Sequence, residues 1–191
     1  MVHESIGRTR DTGVEFIQSG KYSTVYFDPE RRVYIKYFRP KAFDRLRYWL
    51  GIRPAPGRNF LKIARRLERL DIKVPDILMA RRYYLEMREV EGTELRGLLP
   101  EHPELQQQYV ELIARLYQDH IYCRGLHTKN FLATSSGELV AIDLDAYKAP
   151  RLFHYSGHDF LEKLKRSLTG EVDELYLYQR IVERLGVANA P

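Results

Sequence analysis

The feature that most constrains the fold is a pair of short polar motifs in the second half of the chain. The first is the eight-residue segment Cys123-Arg124-Gly125-Leu126-His127-Thr128-Lys129-Asn130, and the second is Ile142-Asp143-Leu144-Asp145. Asp143 follows a short apolar stretch, residues 138–142, whose composition favours a β-strand. The fold must therefore hold a polar loop and an aspartate at the end of a strand.

The spacing of these residues resembles the catalytic loop of kinases, H-R-D-x-x-x-x-N, with its downstream metal-binding aspartate. In that motif the first Asp accepts the proton of the substrate hydroxyl, and the Asn and the later Asp hold Mg²⁺. Arg124 and Asn130 match the loop and Asp143 matches the later ligand, whereas Gly125 stands where the base belongs. The resemblance implies metal ligands at Asn130 and Asp143 without the usual base.

Length and composition indicate an ordinary globular protein of one domain or a small pair of lobes. The 191 residues are 44% hydrophobic and 30% charged, which is enough apolar surface for a normal core. The single cysteine, Cys123, excludes an internal disulfide and fits the cytosol. We see no signal peptide and no run of about 20 apolar residues, so we expect neither secretion by that route nor a membrane-spanning protein.

The N-terminal part predicts three antiparallel strands, residues 14–19, 24–27 and 33–38. Lys36 interrupts the apolar third strand where kinases keep the lysine that contacts nucleotide phosphates; alternatively, it is an edge-strand lysine that points to water. Gly20, in the loop between the first two strands, is a candidate phosphate contact. A single glycine in a hairpin is also typical of a plain turn.

The remaining pattern predicts strands at 77–79 and 83–90 and helices at 41–51, 59–70, 93–99, 103–119, 157–168 and 171–185. The strand that ends near Val90 resembles the hinge between kinase lobes, so Met87, Glu89 and Val90 are candidate adenine contacts. We therefore expect an α+β, two-lobed, protein-kinase-like fold. Residues 1–91 would form the N-lobe with its antiparallel sheet, and residues 92–191 a minimal, mainly helical C-lobe, as one structural unit.

From about Gly13 to Leu168 the chain resembles the lipopolysaccharide kinase (Kdo/WaaP) family, whose members include toluene tolerance proteins. The matching segments are residues 34–39, 70–75, 121–132 and 142–145. Membership would imply ATP and Mg²⁺ as cofactors and phosphorylation of a sugar hydroxyl in the lipopolysaccharide core at the cytoplasmic membrane. It would also assign phosphate binding to Lys36 and metal binding to Asn130 and Asp143.

Two departures from the kinase pattern leave the activity open. Gly125 replaces the base, and the helix at 59–70 offers Lys36 no convincing carboxylate, because Glu68 lies late on it. One interpretation is a phosphotransferase with weak or altered activity, since phosphoryl transfer depends mainly on positioning. In that case His127 would be the substitute base, although a packing role for His127 is the favoured alternative. The other interpretation is a pseudokinase that acts as a regulator or scaffold.

The segment from Lys41 to Leu50 predicts a basic amphipathic helix. Residues 39–73 contain eleven Lys or Arg against three acidic residues. With Trp49 at an interfacial position, the helix suits an anionic membrane surface or a phosphorylated glycolipid, and the protein would then be cytoplasmic and peripheral on the membrane. The alternative is a lobe-packing helix with solvated charges. A nucleic-acid-binding module is a third hypothesis, but no recognised motif supports it.

Overall fold

A computed structural model describes residues 13–148, 156–169 and 174–187. The chain divides into two compact units. The first comprises Met1–Lys62 and Pro75–Glu89, and the second comprises Ile63–Val74 and Val90–Pro191. Residues 63–74 belong to the second unit, although in the sequence they lie between the two segments of the first. The helix Pro56–Glu68 therefore contributes residues to both units.

The first unit is built on a five-stranded antiparallel sheet in the order β1-β2-β3-β5-β4. Its strands are β1 (Glu15–Ser19), β2 (Ser23–Asp28), β3 (Val33–Phe38), β4 (Ile77–Arg81) and β5 (Tyr84–Arg88). Alternation of apolar and polar residues with many β-branched and aromatic side chains explains why these segments are extended. The three expected N-terminal strands thus share one sheet with the later pair.

Two helices accompany the sheet, α1 (Ala42–Trp49) and α2 (Pro56–Glu68). The second begins three residues earlier than the sequence predicts, because Pro56 occupies its first turn, where a missing N–H costs nothing. Gly57 next to it lies against the β4–β5 turn, and a Cβ there would overlap the carbonyl oxygen of Arg81. Only glycine allows this close approach of helix to hairpin.

The second unit is mainly helical, with α3 (Leu95–Leu98), α4 (Pro103–Gln118), α5 (Gly157–Leu168) and α6 (Leu175–Leu185). The apolar stripe of α4 lies in the core. Its fully buried members include Tyr109, Ile113 and Leu116, and the Tyr109 ring meets Phe131 edge to face at 5.3 Å. The expected start of the last helix, residues 171–173, lies outside the described residues.

The described residues of the second unit also form five short strands: β6 (Thr93–Glu94), β7 (Tyr122–Cys123), β8 (Phe131–Ala133), β9 (Leu139–Ala141) and β10 (Tyr147–Lys148). They form a β6-β8-β9 sheet and a β7-β10 pair. The helix predicted to begin at Thr93 is wrong in its first two residues. Thr93 and Glu94 pair instead with Ala133 and Leu132, so tertiary pairing overrides the local helical pattern there.

Within the described part of the chain, no helix is both long enough and apolar enough to cross a membrane.

Candidate functional site

The polar loop from Cys123 to Asn130 is anchored at its start by the β7–β10 pair. Cys123 lies opposite Tyr147, and the backbone N–H of Arg124 donates to the carbonyl of Ala146 at 3.4 Å. The loop ends in a 3₁₀ turn, Thr128–Asn130, which leads directly into β8. Both ends of the loop are therefore held by β-structure, which fixes the path of the backbone between them.

Asn130 and Asp143 lie at the same end of the β8–β9 hairpin. Phe131 pairs with Ala141, and one step further the N–H of Ile142 donates to the carbonyl of Asn130 at 2.9 Å. Asp143 comes next, in the left-handed conformation with φ 54° and ψ 52°. Such a conformation is uncommon for residues other than glycine, although Asp tolerates it, and it is frequent at functional sites.

The Asn130 side chain has a fixed orientation. Its Nδ2 donates to the carbonyl oxygen of Gly125 at 2.8 Å across the loop. The amide nitrogen is thereby committed to the loop, and the amide oxygen Oδ1 is the atom that can act as a metal ligand. Asp143 is exposed, so its carboxylate is accessible from solvent.

Gly125 has no backbone conformation that demands glycine, because its φ is not positive. A Cβ at this position would lie 3.2 Å from Asn130 Nδ2 and 3.6 Å from the Cβ of Ala146. The contact with Asn130 is tight, but it is one that a shift of a few tenths of an ångström relieves. The absence of a carboxylate at Gly125 is therefore a feature of the sequence that the backbone does not force.

His127, the proposed substitute base, is engaged in packing. Its Nδ1 lies 2.8 Å from the carbonyl oxygen of Ser167 on α5. Because a carbonyl oxygen only accepts, Nδ1 carries the proton and Nε2 is the acceptor nitrogen. The ring orientation is set by this contact, and both roles of His127, packing and substitute base through Nε2, stay predictions.

Beneath the loop lies a buried layer of polar side chains. The Tyr109 hydroxyl donates to the carbonyl of Leu126 at 2.6 Å, and the N–H of Gly125 donates to Cys123 Sγ at 3.3 Å. Burial raises the pKa of Cys123 to about 12, and the nearby charge of Asp143 acts in the same direction. Cys123 is thus a protonated structural thiol and not a nucleophile.

A buried ion pair that the sequence alone does not reveal also fixes the loop. Glu174, 3% exposed, accepts at Oε1 from Thr128 Oγ1 at 2.6 Å and from Arg96 Nε at 3.3 Å. The contact joins the loop to α3 and to the residue before α6. Glu174 is 46 residues from Thr128 in the chain, so no local spacing reveals the pairing.

Lys36 belongs to the first unit. It is 7% exposed, and β3 pairing places it opposite Val25 on one side and Leu85 on the other. Directly opposed residues share a sheet face, so these apolar side chains surround the lysine stem. Its Nζ lies 5.6 Å from the centre of the Phe38 ring. Lys36 is therefore not the solvated edge lysine of the alternative interpretation.

The other candidate nucleotide contacts are distributed as follows. Met87 lies opposite Tyr34 on the sheet face that Lys36 shares. The N–H of Glu89 donates to the carbonyl of Arg32 at 2.9 Å, and its carboxylate accepts from Arg32 Nε at 2.8 Å. Val90 is the first residue of the stretch that returns to the second unit. Glu89 is thus a structural contact of the β2–β3 turn in addition to any role toward a ligand.

Gly20 closes the turn between β1 and β2, where its N–H donates to the carbonyl of Ser23 at 2.8 Å. Its φ is not positive, and a Cβ would meet only that carbonyl oxygen, at 3.9 Å. Nothing in the turn itself requires glycine.

The second unit also contains a cavity of about 500 Å³. Its polar lining includes Glu91, His102, Glu104 and Thr134. Neither Asn130 nor Asp143 lines it, so this cavity is distinct from the expected metal site.

Comparison with known proteins gives structural similarity only. The chain is similar to the Rio2 kinase of Chaetomium thermophilum, solved as an ADP/Mg²⁺-phosphoaspartate complex, with a TM-score of 0.57, 16% sequence identity and coverage of 98% of this chain and 58% of that chain. It is also similar to WbdD, with a TM-score of 0.49, 13% identity and coverage of 90% and 46%. No protein-family model and no curated protein sequence matches.

The similarity to Rio2 kinase extends over nearly the whole chain, and it confirms the fold class. The protein has an α+β, protein-kinase-like fold, with a small antiparallel sheet in one unit and mainly helices in the other. The chain spans 58% of the length of the Rio2 chain. The more specific resemblance to the Kdo/WaaP family stays a prediction.

Proposed function

We propose that this protein binds ATP together with Mg²⁺ and belongs to the lipopolysaccharide core kinase type of kinase-like proteins. The observation that supports this most is the shared position of Asn130 and Asp143 at one end of the β8–β9 hairpin. The nucleotide complex of the Rio2 kinase, a protein of the same fold, is consistent with it.

The residues at this position fit Mg²⁺. The ion prefers oxygen ligands, one or two of them from protein and the others from water and phosphate. Asn130 Oδ1 and the Asp143 carboxylate supply such oxygens, and the contact from Asn130 Nδ2 to Gly125 holds the amide in one orientation. When bound, Mg²⁺ would neutralise negative charge on the phosphates.

On the first unit, Lys36 would bind phosphate and the apolar side chains beside it would contact the base. Val25, Leu85 and Met87 share its sheet face. The ammonium group of Lys36 is a cation of the kind that binds phosphate oxygens. Gly20, Glu89 and Val90 are further proposed nucleotide contacts, although the N–H groups of Gly20 and Glu89 already donate to the carbonyls of Ser23 and Arg32.

The reaction that we propose is transfer of phosphate to a sugar hydroxyl of the lipopolysaccharide core or of another anionic glycolipid. Catalysis by positioning needs no base on the protein, but a general base typically contributes about 10²–10⁴-fold. Gly125 removes that group, and in His127 only Nε2 could act as a base, because Nδ1 is committed to the Ser167 carbonyl. We therefore expect nucleotide binding with slow transfer, and a protein with no transfer at all would be a pseudokinase.

Nucleotide binding is tested by thermal unfolding of the full chain. Ligand at about 100 times its Kd stabilises a protein by roughly 2.7 kcal/mol. For a chain of this size that corresponds to a rise in Tm of about 5 to 10 °C. We expect this rise with ATP and Mg²⁺, and a much smaller one for Lys36→Ala and Asp143→Asn, each measured against its own unliganded Tm.

Matched controls are the exposed residues Lys73 and Asp76, which lie outside the candidate site. Lys73→Ala and Asp76→Asn should keep the full ATP-induced rise. A Tm unchanged by millimolar ATP in the wild-type protein would contradict the proposal.

A further inference from the structure

Helix α1 has an outer side that the rest of the protein does not cover. None of its eight residues is buried. The exposed fractions are 63% for Phe43, 49% for Leu46, 72% for Trp49 and 54% for Leu50, and Ile52 just beyond the helix is 64% exposed. We call these five residues the apolar arc. So much exposed apolar area on one short segment is typical of a binding surface.

The opposite side of α1 is attached to the first unit. The ring of Tyr48 lies 6.3 Å from that of Tyr83, in the β4–β5 turn, and the Arg45 guanidinium lies 6.0 Å from the same ring. At about 100° per residue, Phe43, Leu46 and Leu50 fall on the side of the helix away from Tyr48. The helix is thus held by one side and presents its apolar side outward.

Basic side chains border the apolar arc. Between Lys41 and Arg53 the sequence has four basic residues, Lys41, Arg45, Arg47 and Arg53, against the single acid Asp44. The Arg47 guanidinium lies 4.2 Å from the centre of the Phe43 ring, directly beside the arc. An apolar side with flanking arginines and an exposed Trp is the composition of a helix that lies in a membrane interface.

We propose that the apolar arc and its basic border bind the surface of an anionic phospholipid membrane. Charge selects this partner: phospholipid headgroups with negative charge complement the arginines, whereas a second copy of this chain would bring two basic borders together. Stacked nucleic-acid bases would leave Leu46, Leu50 and Ile52 in contact with water. The proposal does not depend on nucleotide binding.

Trp49 makes the test direct, because it is the only tryptophan in the chain. The full protein is mixed with vesicles of phosphatidylglycerol and phosphatidylcholine, and separately with vesicles of phosphatidylcholine alone. We expect a blue shift of the Trp49 emission and co-sedimentation with the anionic vesicles. Both signals should weaken at high salt, because screening reduces the attraction of the arginines to the surface.

Two double variants separate the contribution of the apolar arc to membrane binding from that of its basic border. Leu46→Glu with Leu50→Glu should abolish sedimentation, because charge replaces the centre of the arc. Arg45→Glu with Arg47→Glu should lower the partition coefficient at least about tenfold, since each basic residue near an anionic surface contributes roughly 1 kcal/mol, or about fivefold. Leu78→Glu is the matched control, because Leu78 on β4 is 44% exposed and lies outside the apolar arc. This variant should bind anionic vesicles like the wild-type protein.

The proposal is overturned if the Trp49 emission and the sedimented fraction are the same with anionic and neutral vesicles. It is also overturned if the Leu46→Glu, Leu50→Glu variant changes only self-association in analytical ultracentrifugation, which would identify a second copy as the partner. Circular dichroism melting confirms that the variants fold. The ATP-induced rise in Tm should be unchanged in all of them, so this test and the nucleotide test fail independently.

Discussion

At the scale of single residues, Gly125 contacts both ends of the polar loop, Cys123 and Asn130, through its backbone. Its N–H donates to Cys123 Sγ, and its carbonyl accepts from Asn130 Nδ2. These are backbone contacts, so any residue that fits the space preserves them. The side chain at this position therefore affects chemistry more than folding, and exchanging it tests the activity without removing the contacts that orient Asn130.

The first prediction concerns Gly125→Asp, with Gly125→Ala as its control. Both variants add the Cβ that approaches Asn130 Nδ2 at 3.2 Å, but only Asp adds a carboxylate. If the remaining site is competent, ATP turnover with a core saccharide should be about 10²–10⁴-fold faster in the Asp variant than in the Ala variant. Equal rates would favour the pseudokinase interpretation.

At the scale of elements, the buried contact between Thr128 and Glu174 joins the candidate loop to the helices around it. Thr128 is fully buried, and Glu174 is engaged at Oε1 by both Thr128 and Arg96. Among the described residues, Glu174 Oε2 has no hydrogen-bond partner. The buried carboxylate therefore depends strongly on the few contacts that it has.

Thr128→Val should accordingly destabilise the protein. Valine keeps the shape of threonine but removes the hydroxyl that donates to Glu174, and losing a hydrogen bond to a charged group costs about 1.5–3 kcal/mol. Urea unfolding measures this loss. Thr93→Val, at an exposed position of β6, should change the free energy of unfolding by less than about 0.5 kcal/mol. An equal effect of the two substitutions would contradict the assignment.

The sheet of the first unit has its own charged contact. Glu86 on β5 accepts hydrogen bonds from the Tyr84 hydroxyl and from Arg31 Nη2, the latter at 2.9 Å. The Tyr84 hydrogen bond first, and the Arg31 hydrogen bond second, lower the pKa of Glu86 below its usual 4.5. The ionised carboxylate is therefore the form that stabilises the folded sheet.

This pKa shift gives a prediction with a definite sign. Because the folded pKa of Glu86 is lower than the unfolded value of about 4.5, its stabilisation is complete above pH 4.5 and is lost as the pH falls through the folded value. Glu86→Gln should lower the free energy of unfolding at neutral pH, and the difference from wild type should shrink below pH 4.5. Glu30→Gln, at an exposed turn position, should show no such convergence in unfolding curves.

At the scale of the whole molecule, the kinase-like fold accounts for the order of elements. A strand-rich first unit precedes a helical second unit, and the similarity to the Rio2 kinase covers 98% of the chain. The proposed ligands are divided between the units, with Lys36 in the first and Asn130 and Asp143 in the second. Lys36→Ala and Asp143→Asn, each measured against its own unliganded Tm, test the two units separately for a role in nucleotide binding.

Periodicity predicted most of the regular structure of this chain. The strand from Val33 to Phe38 and the helix from Gly157 to Leu168 have the bounds that the sequence predicts. Thr93 and Glu94 could not be predicted, because their extended form depends on pairing with a strand almost forty residues away. The end of α2 depends on the geometry of the turn that follows it, in which Asp71 has a φ of 57°. Hydrophobic periodicity carries no information about such a turn.

For the candidate site, the sequence by itself determined which residue types are present and at what spacing: the loop with Gly125 and Asn130, the aspartate at the end of an apolar strand, and a lysine within an apolar strand. Only the tertiary structure decided their surroundings. It brought Asn130 and Asp143 to one end of a hairpin and joined Glu174 to Thr128 by a buried hydrogen bond. It also oriented His127 toward the Ser167 carbonyl and left the apolar arc of α1 exposed. The physical reason is that spacing fixes local geometry, whereas burial and hydrogen bonding between distant segments depend on the packing of the whole chain.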